Sequence, residues 1–285
     1  MDFNSWNILS ELCFGLSALL IVLGNSLTIW IFLKQKFRKR AHFLLISLAV
    51  ADLLVGLLAV PLYMVANLYR FPLWYFYASL YVDIFTGLTS ILTLAVISLE
   101  RMYAVGWPLR HRTLPLRAYK FAIVTPWILA ATVTCTRVLT ANSLTAPTSF
   151  DVIIAVSPVV PTLVICSAYC VIWRKQRNRM DNQNQQIQRE TKLAKTLFLI
   201  TGTSLLTWLP FQIMNTLLSS KLGIFAPFGI WQIIKLLQFS NSLVNVIIYP
   251  FRIPEFKGDL LRMLRGLVIA FSLKPNRRST EDVIP

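Results

Sequence analysis

The sequence has few charged residues for its length. Only 14% of its 285 residues are charged, against about a quarter in an average soluble domain, while 56% are hydrophobic. A single soluble core of this length does not hide so much apolar surface. A lipid bilayer does, because an apolar helix of about 20 residues spans its hydrocarbon layer. The composition therefore predicts an integral membrane protein.

Histidine and cysteine are also scarce, which disfavours metal-dependent membrane enzymes. The two histidines, His42 and His111, stand at the margins of apolar runs, and all four cysteines lie inside such runs. Cys166 and Cys170 share a helix face but have no histidine or further cysteine nearby. A metal site needs more ligands than this. We therefore expect the cysteines to pack as small apolar side chains, and we expect no enzyme.

Seven long apolar runs are present, and they predict an all-α bundle of seven transmembrane helices. Their approximate bounds are 12–33, 43–66, 76–104, 119–139, 150–173, 193–219 and 227–250. A spanning segment must satisfy its own backbone hydrogen bonds, which a helix does within one chain segment. Strands of a transmembrane barrel would be about ten residues long with alternating polarity, a pattern that the sequence does not show.

The basic residues predict the orientation of these helices. All but four of the 28 Lys and Arg residues lie on the side of the first, third and fifth connections and the C-terminal tail. The four exceptions are Arg70, Arg137, Lys221 and Lys235. Because cytoplasmic loops carry the excess of Lys and Arg, we expect the N-terminus outside and the C-terminus inside. The net charge of +16 is then mostly a topology signal, and we expect no nucleic-acid partner.

The chain after the seventh run is amphipathic. Over about 254–266, apolar side chains follow one side of a helix and basic side chains are available for lipid headgroups. They are Phe256, Leu260, Leu261 and Leu264, with Lys257, Arg262 and Arg265. This pattern predicts a short cytoplasmic helix along the membrane surface. We assign 1–270 to the membrane domain, including this helix, and 271–285 to a short disordered cytoplasmic tail.

Three charged side chains stand out well inside the predicted spans: Asp52, Asp83 and Lys235. Each costs about 2.5–3.5 kcal/mol to insert, so each is a candidate functional group. On the third span, Asp83 and Arg101 lie on one polar stripe, about 27 Å apart along a helix. Asp83 is thus near the outer side and Arg101 at the cytoplasmic end.

Short motifs on the successive spans resemble those of rhodopsin-like (class A) G-protein-coupled receptors. They are Gly24-Asn25, Leu48-Ala49-Val50-Ala51-Asp52-Leu53, Glu100-Arg101-Met102, Trp127, Pro161 with Tyr169, Thr207-Trp208-Leu209-Pro210, and Asn245-Val246-Ile247-Ile248-Tyr249. Each fragment alone is weak, whereas seven in order on the right spans are specific. The resemblance covers nearly all of the chain. It implies a multi-pass plasma-membrane receptor that binds an extracellular ligand and activates a heterotrimeric G protein.

The resemblance also implies a switch at the cytoplasmic end. Arg101 is expected to pair with Glu100 and with Glu190, which stands twenty residues before Pro210. Outward movement of the sixth helix would break such a pair and free Arg101 for the G protein. Further residues that the resemblance assigns to coupling and switching are Leu109, Tyr169, Trp208, Pro210, Asn245 and Tyr249.

A sodium pocket is implied around Asp52. The residues that resemble it are Asp52, Ser90, Asn241, Ser242 and Asn245, with Trp208 beside them. A buried carboxylate among hydroxyl and amide groups suits a small hard cation. An ordered water cluster is the alternative, and we expect no other cofactor.

Asp83 stands eighteen residues before Arg101, where amine receptors carry the carboxylate that binds the ligand. A protonated amine there would form a charge-assisted hydrogen bond. Trp208 and Phe211 would supply aromatic walls and Ser157 a polar contact. The remaining residues of this predicted ligand site are Gln212, Lys235 and Phe239.

Several features leave other ligands open. Lys235 can neutralise Asp83 across the bundle, and Gln212 and Phe239 differ from the residues that amine receptors usually carry. The sequence therefore leaves open an amine, a peptide, a lipid or another small molecule as the ligand, and also a receptor without a ligand. Phe76 replaces the usual outer cysteine of the third helix, so we expect a more open extracellular mouth without a disulfide. Met102 and Val246 replace the usual Tyr and Pro, which leaves basal activity open.

The alternative interpretation is a seven-helix transporter or retinal-binding pump that uses Asp83 and Lys235 as its charged pair. It gives no role to Glu100 and Arg101, and the sequence has no chain of intramembrane carboxylates to relay protons. We accordingly expect the partners to be a heterotrimeric G protein, an extracellular small molecule or peptide, and membrane lipids.

Overall fold

The computed structural model describes residues 5–34, 40–68, 72–141, 147–177, 198–199, 202–204, 206–217, 227–252, 256–263 and 265. Within these ranges the chain is helical apart from short turns, as predicted. The helices are α1 Ser5–Lys34, α2 Arg40–Leu54, α3 Val60–Leu68, α4 Leu73–Gly106, α5 Pro108–Arg112, α6 Leu116–Ala141, α7 Pro147–Arg177, α8 at 206–217, α9 Phe228–Arg252 and α10 at 256–263.

Five stretches of the described residues are long and apolar enough to cross a membrane. They are Ile8–Lys34, His42–Asn67, Leu73–Gly106, Leu116–Thr140 and Val156–Lys175. Each covers or largely overlaps one of the first five predicted runs. The sixth predicted run includes α8 together with residues outside the described ranges, and the seventh corresponds to α9. The seven-helix bundle predicted from the sequence is confirmed.

The second span is not a uniform α-helix. A π-helical turn, Val55–Ala59, joins α2 to α3, and the Val60 N–H donates to the Val55 carbonyl, five residues back. The extra residue offsets the side chains that follow by about 100° relative to a continuous α-helix. Pro61 lies two positions after this turn. Hydropathy predicts only one continuous run here. The direction in which the Tyr63 side chain points depends on the π-helical turn.

The bundle packs around α4, which contacts α2, α6 and α7. The larger buried apolar cluster lies in the inner half, where Phe32, Tyr249 and Phe256 pack ring against ring. A smaller cluster in the outer half contains Phe14 and Phe239. Large apolar side chains on the outside of the bundle are exposed, as expected for surfaces that face lipid.

Two short helices flank the cytoplasmic end. In α5 the proline at the first position, Pro108, has no N–H that the helix would leave unpaired. In α10 the Phe256 ring is buried and packs 5.5 Å from Phe32, measured between ring centroids. The helix expected at about 254–266 coincides with α10 over its described residues. Its position at the membrane surface and the division of the chain at residue 270 stay predictions.

Candidate functional site

The outer half of the bundle contains a buried ion pair between α4 and α9. Lys235 Nζ donates to Asp83 Oδ2 over 2.6 Å and to Gln238 Oε1 over 2.8 Å. Gln238 Nε2 in turn donates to Asp83 Oδ1 over 3.1 Å. The three side chains thus close a ring of hydrogen bonds, and Asp83 and Lys235 are only 8% and 4% exposed. The neutralisation of Asp83 by Lys235 that the sequence allowed is present in the structure.

Three aromatic rings surround the ammonium group of Lys235. The centroids of Phe211, Phe239 and Tyr63 lie 4.5, 4.9 and 5.2 Å from Nζ. Cation–π contacts in such desolvated places are worth about 2 kcal/mol each. Removing one partner of a buried ion pair costs about 3–5 kcal/mol, because the other charge is left without compensation. The cluster therefore holds a primary ammonium group tightly.

A second polar group lies one helical turn towards the extracellular side. The Tyr63 hydroxyl donates to Gln232 Oε1 over 2.7 Å, and Asn67 Nδ2 approaches the same oxygen at 3.4 Å. Gln232 Nε2 is buried and has no hydrogen-bond partner. A buried donor without a partner costs about 1–3 kcal/mol. The α9 face above Lys235 thus presents an unused hydrogen-bond donor.

The other predicted ligand residues divide into two groups. Trp208 is buried on α8 and packs edge to face with Phe211, at 5.9 Å between ring centroids. The Cβ of a residue replacing Gly87 would lie 2.8 Å from Trp208 Cζ2, so α4 needs a glycine to admit the indole. Ser157 on α7 and Gln212 on α8 are half-buried and are not among the partners of Asp83.

An apolar cavity of about 650 Å³ separates α7 from α8 on the outside of the bundle. Its lining includes Leu163 and Leu206, which are strongly exposed, and reaches Trp208 and Gln212. The cavity thus opens at the exposed leucines and extends inward to the buried Trp208. Gln212 follows Trp208 by four residues on α8, so the two side chains lie on the same face of that helix.

Asp52 forms a second buried carboxylate cluster two turns further in. Ser90 and Ser242 donate to its Oδ1 over 2.9 and 3.0 Å, and Asn245 Nδ2 donates to its Oδ2 over 2.6 Å. Asp52 itself is fully buried. Four of the five residues of the predicted sodium pocket are thus in direct contact.

The fifth residue of that pocket, Asn241, lies beside this cluster. Its Oδ1 is 3.4 Å from the Thr207 hydroxyl on α8. The Asn245 Oδ1 and Asn25 Oδ1 atoms are buried without hydrogen-bond partners. Carboxylate, hydroxyl and amide oxygens are the ligands that hard cations prefer. The residues present therefore fit a sodium ion.

The cytoplasmic end of α4 carries a connected group of charged and polar side chains. Arg101 Nη2 donates to Glu100 Oε1 over 2.6 Å, and Arg101 Nε donates to the other carboxylate oxygen. His111 Nε2 on α5 lies 2.8 Å from Glu100 Oε1, and the Tyr119 hydroxyl on α6 donates to the same oxygen over 3.2 Å. Arg101 is thus held in the bundle through a carboxylate that α5 and α6 also hold.

The remaining predicted switch residues are distributed around this end. Tyr169 on α7 is buried and packs against Phe198, at 5.0 Å between ring centroids. Tyr249 on α9 is fully buried, and its hydroxyl has no hydrogen-bond partner. Leu109 on α5 is 77% exposed, as an apolar contact for a partner requires. Pro210 lies within α8, and Glu190 lies outside the described residues.

Sequence reasoning missed several members of these clusters. Gln232 and Gln238 are three residues before and after Lys235, so the same-face rule for helices identifies them once Lys235 is chosen. Tyr63 carries no such signal, because the π-helical turn sets its direction. Tyr119 and His111 meet Glu100 from other helices, and no local pattern connects them.

Comparisons with known proteins agree with this architecture. The family model described as 7 transmembrane receptor (rhodopsin family) matches residues 24–249. The chain is similar to trace amine-associated receptor 7h of Rattus norvegicus, with 30% identity over 94% of this chain and 84% of that protein. It is also similar to adenosine receptor A3 of Ovis aries, with 29% identity over 95% and 93%. Adenosine receptor A2a of Canis lupus familiaris shows 27% identity over 88% and 71%.

Proposed function

The chain belongs to the rhodopsin family of seven-transmembrane receptors, and we propose that it is a plasma-membrane receptor for a small cationic amine anchored at Asp83. Members of this family bind extracellular ligands and couple to G proteins, so the transporter reading finds no support. Its relatives include receptors named for trace amines and receptors named for adenosine. The choice between these ligand classes rests on the outer site.

The observation that carries the amine proposal is the environment of Lys235. Asp83, Gln238 and three aromatic rings already enclose a primary ammonium group, that of the Lys235 side chain. The site therefore has the charge, the hydrogen-bond acceptors and the rings that an alkylammonium ligand needs. A ligand amine would take the place of Nζ at the Asp83 carboxylate.

We propose that the signal reaches a heterotrimeric G protein through Arg101. Trp208 touches both Phe211 at the ligand site and the α4 turn at Gly87, so a ligand that moves Phe211 also moves α8. Displacement of α8 would open the cytoplasmic end, where Arg101 has to leave Glu100 before it can bind a partner. Leu109 and the basic inner surface would complete the contact with the G protein.

The test is a panel of primary amines, with and without an acid group, read by G-protein activation in cells. We expect Asp83→Asn to weaken every active amine about tenfold to hundredfold, the value of a lost charged hydrogen bond. Arg101→Ala should abolish the response while binding persists. An amine that activates wild type and Asp83→Asn at the same concentration would show that Asp83 is not the anchor.

We also propose a sodium ion at the Asp52 cluster. Asp52, Ser90, Ser242, Asn241 and Asn245 would hold it, and the two buried amide oxygens without partners support a cation there. The bound ion would supply the positive charge that the buried carboxylate lacks. Because the same residues join α2, α4 and α9, occupancy should stabilise one arrangement of these helices.

A further inference from the structure

The charge balance of the outer site restricts the ligand more than Asp83 alone does. Asp83 and Lys235 are both buried, and together they are neutral. A ligand with only an ammonium group would take Asp83 and leave the Lys235 ammonium among three rings without an anion. An unpaired charge in such a place is strongly unfavourable, because neither water nor a counter-ion compensates it. A simple amine therefore replaces the Asp83–Lys235 ion pair with its own ion pair to Asp83. The Lys235 ammonium group is then left without a counter-ion.

A ligand that also carries an acid group avoids this penalty. Its ammonium would bind Asp83, its carboxylate would bind Lys235, and the site would stay neutral. We infer that the ligand is a zwitterion of the amino-acid type, with Lys235 and Gln232 as the acid subsite. The inference rests on the proposed function, because it keeps Asp83 as the anchor of the amine.

Gln232 gives independent support for an acid subsite. Its Nε2 is a buried donor without a partner, one helical turn above Lys235 on the same face of α9. Tyr63 connects the two residues, since its hydroxyl donates to Gln232 Oε1 while its ring lies 5.2 Å from Lys235 Nζ. A carboxylate between them would accept from both, and it would satisfy a donor that the resting receptor leaves unpaired.

Glu11 on α1 is the competing destination for a displaced Lys235. One oxygen of its carboxylate is buried without a partner, and Asn67 connects Glu11 to Gln232. If Lys235 moved to Glu11, a simple amine would suffice as the ligand. The two mechanisms differ in their dependence on Glu11, so the experiment includes that residue.

The experiment compares matched pairs of probes that differ only in the carboxylate. Phenethylamine is paired with phenylalanine, and pairs with alkyl, phenol and imidazole side groups extend the set, each with the corresponding deaminated acid. G-protein activation is measured for wild type, Lys235→Met, Gln232→Leu, Glu11→Gln and Asp83→Asn. Lys257→Met, which removes an exposed lysine on α10, is the control for expression.

In wild type we expect at least one amino acid to act at a concentration tenfold or more below that of its amine. Lys235→Met should reverse this order, weakening the amino acid at least tenfold and strengthening the amine at least tenfold. Gln232→Leu should weaken the amino acid severalfold and leave the amine unchanged. Glu11→Gln and Lys257→Met should leave the preference for the amino acid over its amine unchanged.

Other results separate the two proposals. If the amine is at least as potent as the amino acid in wild type, and Asp83→Asn abolishes the response to the amine, the acid subsite is wrong and the amine proposal stands. If Glu11→Gln loses the response to the amine, the displaced Lys235 ammonium group pairs with Glu11. This result would also overturn the acid subsite. If the deaminated acid alone activates the receptor and Asp83→Asn has no effect, the amine proposal fails. A panel without any response in any variant contradicts both.

Discussion

Asp83 and Asp52, two buried aspartates among the described residues, are stabilised in different ways. Asp83 in the outer half is paired with the ammonium group of Lys235. Asp52 in the middle accepts hydrogen bonds from two hydroxyls and an amide, all of them uncharged. An aspartate is thus paired with a positively charged side chain at one site and has only neutral hydrogen-bond donors at the other. The first site can exchange one cation for another, whereas the second can add a cation.

This difference explains why the two sites suit different ligands. At Asp83 an incoming ammonium competes with a side chain that is already in place, so specificity depends on where Lys235 goes. At Asp52 an incoming cation displaces no charge, and its affinity depends on the attraction of the carboxylate and on how well oxygen atoms replace its hydration shell. The predictions that follow test this comparison in order of decreasing effect.

The largest effect should come from Lys235→Met, which removes the counter-charge of Asp83. The unpaired buried carboxylate should lower stability by about 3–5 kcal/mol. Adding Asp83→Asn should recover most of the loss, because a neutral amide needs no counter-ion. Thermal unfolding of the purified receptor in detergent measures both variants. If Lys235→Met alone were as stable as wild type, the ion pair would not exist in the resting receptor.

Gly87→Ala should have the next largest effect. Gly87 lies between Asp83 and Ser90 on α4, and its new Cβ would be 2.8 Å from Trp208 Cζ2. Forcing extra volume into a packed site costs about 1–3 kcal/mol. Gly106→Ala on the same helix is the matched control, because nothing lies within 4 Å of its new Cβ. Equal unfolding temperatures for the two variants would mean that Trp208 does not pack against this turn.

Sodium should stabilise the receptor through Asp52 and not through Asp83. At a sodium concentration ten times the dissociation constant, binding adds about 1.4 kcal/mol to stability. Replacing sodium with choline at constant ionic strength should lower the unfolding temperature of wild type and of Asp83→Asn. Asp52→Asn should show no difference between the two salts. Persistence of the sodium effect in Asp52→Asn would place the ion elsewhere.

Tyr63→Phe should have the smallest effect, since it removes only the hydroxyl that bonds to Gln232. The loss of one neutral hydrogen bond costs about 1 kcal/mol. Tyr63→Leu also removes the ring beside Lys235 and should cost about 1–2 kcal/mol more. A difference between the two in thermal unfolding measures the cation–π contact. Identical unfolding temperatures would mean that the ring contributes nothing.

Local patterns in the sequence were enough to predict the spans and many site residues. Asp52, Asp83 and Lys235 stand out because a charge in an apolar run is costly, and this cost is visible in any single sequence. Asp83 and Ser90 share a helix face, which follows from a period of 3.6 residues. The resemblance of seven short motifs then identified the family without any tertiary information.

Contacts between helices were much harder to predict. Gln238 completes the ring of hydrogen bonds at Asp83; its spacing places it on the same helix face as Lys235, but its bond to Asp83 on another helix follows only from the packing. His111 and Tyr119 both reach Glu100, from helices whose directions depend on the packing of the inner half. Ser157 and Gln212 were predicted as contacts of the ligand, and they stay predictions.

The sequence by itself determined the seven-helix membrane architecture, because hydropathy and charge act residue by residue and need no partner. It also determined which buried groups carry charge. Only the tertiary structure decided how those charges are balanced, with Lys235 at Asp83 and neutral donors at Asp52. That balance depends on side chains more than 150 positions apart meeting across the bundle. The physical reason is that a buried charge selects its partner by distance in space, which chain order does not encode.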